Sequence, residues 1–169
     1  IRDNLGAEYV IGCVAQNTMR KRLERLIEAF SKMETNDALL HLHTPPVSQM
    51  SPVNLFDIAK KFKVQDKVIF SYSPNSVFGV SDYGMNMLYN YFDYFATASS
   101  FEGFGMPVLE SEAVGKPVVA PNSGSFPELL GENERGLLAS IAATSLEADG
   151  FTRSLVDIES LADKMDALC

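Results

Sequence analysis

The sequence predicts a doubly wound α/β fold: a mostly parallel sheet covered by helices on both faces. Two observations carry this reading. Short apolar runs alternate with amphipathic stretches along the chain, and strands separated by helices require right-handed crossovers and hence a parallel sheet. In addition, the loops with chemical character all follow a strand: Gln16–Met19, His43–Ser48, Ser71–Tyr83, Ser99–Gly105 and Pro121–Ser125. In doubly wound folds that is the edge where ligands bind, at a reversal of strand order.

The elements follow in order. Tyr9 to Ala15 reads as a buried strand, and Met19, Leu23, Leu26, Ile27 and Phe30 recur at helical spacing. Ala38 to His43 is a second strand, closed by Pro45 and Pro46. Leu55, Ile58, Ala59 and Phe62 mark a second helix, and Lys67 to Phe70 a third strand. After a polar loop from Ser71 to about Tyr83, residues Gly84 to Phe92 suit a short helix and Tyr94 to Ala98 a fourth strand. Pro117 to Ala120 and Gly136 to Ala139 are two further strands, with a short helix at Phe126–Leu130 between them. Residues 140–152 show no clear period, and Leu155 to Leu168 is expected as a closing amphipathic helix.

At 169 residues the chain is expected to form one domain with a sizeable core. Its net charge of −8 argues against a general nucleic-acid or anionic-membrane surface, so an anionic ligand must meet a local basic patch. Two cysteines are too few for a disulfide framework and fit a reducing cytoplasm; Cys13, in an apolar run, reads as a core residue. No apolar run approaches the roughly 18 residues of a membrane span. The start on Ile1 suggests a piece of a longer polypeptide.

The most informative stretch is Glu102-Gly-Phe-Gly-Met-Pro-Val-Leu-Glu110. Two carboxylates flank a loop loosened by Gly103 and Gly105, which turns into a helix at Pro107. Free amides of Gly105, Met106 and Val108 are expected to point out of the helix start, where the dipole favours negative charge. Glu102 helps no helix. Glu110 has two readings, a ligand contact or a complement to the helix dipole.

Arg20, Lys21 and Arg22, with Arg25 one turn on, crowd the start of the first helix, where cations oppose its dipole. Either a diphosphate reverses that penalty, or the cluster is a solvated face relieved by Arg20–Glu24 and Arg25–Glu28 pairs. His41 and His43 point to one face of the second strand; two histidines are weak grounds for a metal, though His43 could line the cleft. The aromatic group from Tyr83 to Phe95, Tyr89 included, reads as core and rim. Walker A, Gly-x-Gly-x-x-Gly and Gly-x-Ser-x-Gly signatures are missing.

Taken together these residues resemble the donor-binding domain of retaining glycosyltransferases of family 4, the "group 1" family with the GT-B fold. Glu102 to Glu110 matches that family's Glu-x7-Glu motif, and the run from Glu110 to Glu128 follows its pattern, as do Arg20-Lys21 and Arg25 to Phe30. The similarity spans roughly residues 8 to 139. It implies a Rossmann-like domain forming one half of a GT-B enzyme, with an N-terminal acceptor-binding domain elsewhere in the polypeptide. It also implies a nucleotide diphosphate-sugar as donor and no metal or other cofactor. Glu102 would meet the donor sugar, with Lys21 and Arg20 facing the diphosphate as catalytic cations. Backbone amides from Phe104 to Val108, including Gly105 and Met106, would hold sugar and phosphate oxygens. Glu110 would bind the ribose, and the loop containing Tyr72, Ser73 and Val77 would meet the base. Gln16 stands where the family usually has an arginine; either Arg20 takes over that charge or diphosphate binding is weaker than usual in the family. The expected location is cytoplasmic, with any membrane association peripheral and through the other domain. On this reading the chain alone is inactive or nearly so; a stand-alone nucleotide-sugar-binding module is the alternative, and chain length upstream of Ile1 separates the two.

Overall fold

The computed structural model describes residues 6–72, 79–131, 134–147 and 150–169. Six strands form a parallel sheet: β1 (Tyr9–Val14), β2 (Ala38–His43), β3 (Val68–Phe70), β4 (Tyr94–Ala96), β5 (Val118–Pro121) and β6 (Gly136–Ala139). Their spatial order is β3-β2-β1-β4-β5-β6, so the direction of winding reverses between β1 and β4. With right-handed crossovers, that reversal puts helices on both faces. The strand sequences agree: Val10 to Cys13 are buried without alternation, the pattern of a strand covered on both sides.

The helices are α1 (Leu23–Phe30), α2 (Leu55–Lys61), α3 (Asp82–Tyr91), α4 (Met106–Ala113), α5 (Phe126–Leu129) and α6 (Ile158–Asp166). Local chemistry sets several starts. Asn54, Ser81 and Asp157 each accept from a backbone N–H of the first turn, satisfying a donor the helix cannot. α1 buries Leu23, Leu26, Ile27, Ala29 and Phe30 and packs on both α2 and α6. The Tyr94 hydroxyl donates to the Met165 carbonyl at 2.9 Å, fixing α6 to β4. Gly12 in β1 is required by packing: a β-carbon there would lie 2.0 Å from the Phe92 ring.

One expectation is overturned at the C-terminal end. The stretch after Ala139, which shows no clear period in the sequence, contains two strands, and the closing helix does not begin at Leu155. β7 (Ile141–Leu146) and β8 (Thr152–Val156) form a separate antiparallel hairpin, and α6 starts only at Ile158. The physical reason is exposure. Ala142 to Leu146 are all exposed, so the strand buries no face and leaves no alternation to read.

Candidate functional site

Because β1 and β4 are neighbours at the reversal, the loops leaving their carboxyl ends lie side by side. After β1 the chain makes a 3-10 turn, Met19–Lys21, then passes through Arg22 in the left-handed region (φ 49°, ψ 40°) before α1 begins. This kink breaks the continuous helical register assumed from sequence. Arg20 therefore does not reach Glu24, which lies 3.7 Å from Arg22 instead. Arg25 donates to the Val156 carbonyl at 2.5 Å and takes no part in the cluster.

The turn is anchored to the β4 loop. The Arg20 carbonyl accepts from the Ser100 N–H at 2.8 Å and from the Ser100 hydroxyl at 3.0 Å. Arg20 donates to the Phe101 carbonyl at 2.9 Å. Above these bonds, the Lys21 ammonium pairs with Glu102 Oε1, Arg20 lies 3.1 Å from Glu102 Oε2, and the Ser99 hydroxyl donates to Oε1 at 3.0 Å. The Lys21 and Glu102 side chains are each 11% exposed, against 41% for Arg20. The solvated-face reading of the basic cluster thus fails for Lys21. Burial works to raise the Glu102 carboxyl, but Lys21 and then Arg20 outweigh it and hold the group below its usual range.

From Glu102 the chain enters α4 through Gly105, whose φ of +87° only glycine takes easily, and a β-carbon there would also lie 2.8 Å from Leu129 Cδ1. Gly103 has open space around it. Phe104 and Met106 are exposed. The Val108 N–H is not free as expected: it donates to the Gly105 carbonyl at 2.9 Å, because the helix begins at Met106, one residue before Pro107. Beneath this start a crevice of about 10 Å³ touches Lys21, Thr97, Glu102, Gly105 and Phe126. That is room for one water at most, so any larger ligand sits over its mouth.

Glu110 lies beyond the first turn of α4, which holds no acidic residue. The dipole effect fades within one turn, so that alternative loses its force. Glu110 is exposed on one side and accepts from the Tyr89 hydroxyl at 2.6 Å. Tyr89 is a core residue as read from sequence, yet its hydroxyl reaches this carboxylate; burial first, then Glu110, pushes its pKa up. Asp82, Met85, Asn86, Tyr89, Glu110 and Val114 line a groove of about 240 Å³ between α3 and α4.

Tyr72 is exposed, while Ser73 and Val77 lie outside the described residues. At the end of β3 the Ser71 hydroxyl lies 2.7 Å from His41 Nε2 and 2.9 Å from His43 Nδ1, so both histidines do share one face. Burial, then His43, lowers the His41 pKa to about 4, and burial also lowers that of His43. Gln16 is exposed, whereas its neighbour Asn17, not singled out from sequence, is buried. The Asn17 amide lies 3.2–3.4 Å from the Pro45, Pro46 and Val53 carbonyls, joining the loops after β1 and β2. The hairpin also leaves no signal in the sequence. Ser154 N–H donates to the Ser100 carbonyl at 2.9 Å, Phe151 packs on Phe101 at 5.3 Å between centroids, and the Arg153 guanidinium lies 5.6 Å from the Phe101 ring centre.

An all-parallel sheet with this strand order, carrying its charged cluster at the point of reversal, defines a Rossmann-like α/β domain. Within that class the chain belongs to the glycosyl transferases group 1 family, whose model matches residues 3–167. It is 32% identical over 114 residues to an uncharacterised glycosyltransferase of Sulfolobus islandicus rod-shaped virus 1, covering 64% of this chain and 30% of that protein. It is 26% identical over 141 residues to the N-acetyl-alpha-D-glucosaminyl L-malate synthase of Bacillus anthracis, covering 82% of this chain and 34% of that one. The chain thus spans about a third of the length of either relative. Among solved structures, the C-terminal domain of the group 1 protein LpcC from Francisella tularensis superposes with a TM-score of 0.70 at 21% identity, covering 98% of this chain and 77% of that one. HepE of Anabaena in complex with UDP-glucose gives 0.75 at 19% identity, with 98% and 40% covered. The fold is that of a GT-B glycosyltransferase domain. No helix among the described residues is long and apolar enough to cross a membrane.

Proposed function

We propose that this chain is the donor-binding half of a retaining glycosyltransferase that moves a sugar from a nucleotide diphosphate-sugar without a metal. The observation that carries the reading is the cluster in which Glu102 is held by Lys21 and Arg20 at the reversal of strand order, next to the start of α4. A carboxylate kept ionised suits sugar hydroxyls. Two cations beside it suit a departing diphosphate, whose growing charge they would stabilise without reorganising. Arg20 supplies the positive charge that Gln16 lacks. Glu110, lining the α3–α4 groove, would take the ribose. HepE, which shares this fold, holds UDP-glucose. The acceptor and its contacts would come from an N-terminal domain of the same polypeptide, so the chain alone should bind donor and transfer nothing. Within a cell it would act on the cytoplasmic side.

The test is calorimetric titration of the 169-residue chain with UDP, GDP, ADP and dTDP, beside Lys21→Ala and Glu110→Ala. One diphosphate should bind, and each substitution should weaken it about tenfold or more, about 1.4 kcal/mol. No binding to any of the four, or binding that both variants leave unchanged, would remove the reading.

A further inference from the structure

We infer that the β7–β8 hairpin is a positioning element for the sugar side of this site, acting through Phe101. The inference rests on the donor reading above. Three separate contacts converge on residues 100 and 101: the Ser154 N–H on the Ser100 carbonyl at 2.9 Å, the Phe151 ring on the Phe101 ring, and the Arg153 guanidinium beside that same ring. Phe101 is the residue before Glu102, and its carbonyl accepts from Arg20 at 2.9 Å. The far end of the hairpin is tied down too, since Val156 is fully buried and its carbonyl accepts from Arg25. The hairpin therefore braces the backbone that carries Glu102. Glu110 lies further along, within α4, where it accepts from the Tyr89 hydroxyl and faces the α3–α4 groove.

This division gives a specific consequence. Loosening the brace should disturb the sugar contact through Glu102 more than the diphosphate contact, which Arg20 shares with Lys21, and should leave the ribose contact at Glu110 intact. Phe151 and Arg153 are positioning residues, since they act on Glu102 through the Phe101 ring.

The experiment measures one ratio, the Kd of the nucleoside diphosphate over the Kd of its sugar nucleotide. UDP and UDP-glucose serve if UDP binds best, GDP and GDP-mannose if GDP does. It is measured for wild type, Glu102→Ala, Phe151→Ala, Arg153→Ala and the conservative Phe151→Tyr. Glu102→Ala should change the ratio at least fivefold. Phe151→Ala and Arg153→Ala should shift it in the same direction by twofold or more, the diphosphate Kd moving less than that of the sugar nucleotide, and Phe151→Tyr should restore it. If Glu102→Ala changes the ratio while both hairpin variants keep the wild-type value, the inference is overturned and the donor reading stands. If both ligands weaken equally in the hairpin variants, the hairpin supports the fold in general and the inference again fails. If Glu102→Ala leaves the ratio alone, or wild type binds no nucleotide, the donor reading itself falls, and the inference with it.

Discussion

Replacing Lys21 by methionine keeps most of the side-chain volume and removes the buried partner of Glu102. Taking one member from a buried ion pair costs about 3–5 kcal/mol, because the other charge is left desolvated. Here Glu102 keeps Arg20 at 3.1 Å and the Ser99 hydroxyl at 3.0 Å. Arg20 is partly in water, so its compensation is incomplete; we set the expected cost at about 2–3 kcal/mol. For a chain of this size that is a fall in Tm of roughly 5–10 °C. Glu102→Gln should cost a similar amount, since it strands the Lys21 ammonium. The double variant strands neither and should cost about 1 kcal/mol, giving a coupling energy of several kcal/mol. The assay is urea unfolding followed by far-UV circular dichroism, with the slope checked for constancy. If the two single costs add within about 0.5 kcal/mol in the double variant, Lys21 and Glu102 do not interact as described.

Three further outcomes are expected. His41 holds a folded pKa of about 4 against an ordinary 6.5, so between those values the unfolded state binds the extra proton. Stability should therefore fall as pH drops from about 6.5 towards 4, by up to about 3 kcal/mol, and His41→Asn should flatten that slope in pH-resolved unfolding. An unchanged slope would contradict the burial assigned to this ring. Gly12→Ala should cost about 3 kcal/mol or more, because its methyl meets the Phe92 ring; Phe92→Leu in the same chain should recover part of the loss in Tm. Cys13 is fully buried with its thiol pushed up to about 12, chiefly by burial. Iodoacetamide at pH 8 should leave it unlabelled until the chain is unfolded, as read by mass spectrometry.

How much was legible depended on whether a residue announced itself by period. The six sheet strands could be read because their apolar runs are bounded by helical stretches, and Glu102 could be read because a loop carboxylate between Phe101 and Gly103 serves no helix. The partners of Glu102 were harder. Lys21 and Arg20 were named, but spacing along one helix paired Arg20 with Glu24, and only the left-handed Arg22 turns it towards Glu102. The Val108 amide looks free in the sequence because Pro107 suits the first helical position, whereas the helix starts at Met106. Asn17 and the hairpin left no trace: one is a single polar residue among others, and the other has an exposed strand with no alternation. Tyr89 was visible as core, but nothing in a sequence says that a buried phenol reaches the carboxylate of another helix.

The composition of the Lys21–Arg20–Glu102 cluster also has a kinetic side. Two cations and one carboxylate leave it with a single net positive charge, on a chain whose formal charge is −8. At about 0.01 M salt the Debye length is roughly 30 Å, and an approaching anion feels the repulsion of the whole molecule before the attraction of the cluster. Near 0.15 M it shrinks to about 8 Å, and only the cluster is felt. Moderate salt should therefore speed capture of an anionic ligand while also hastening its escape, so that stopped-flow rates move when the equilibrium constant scarcely does.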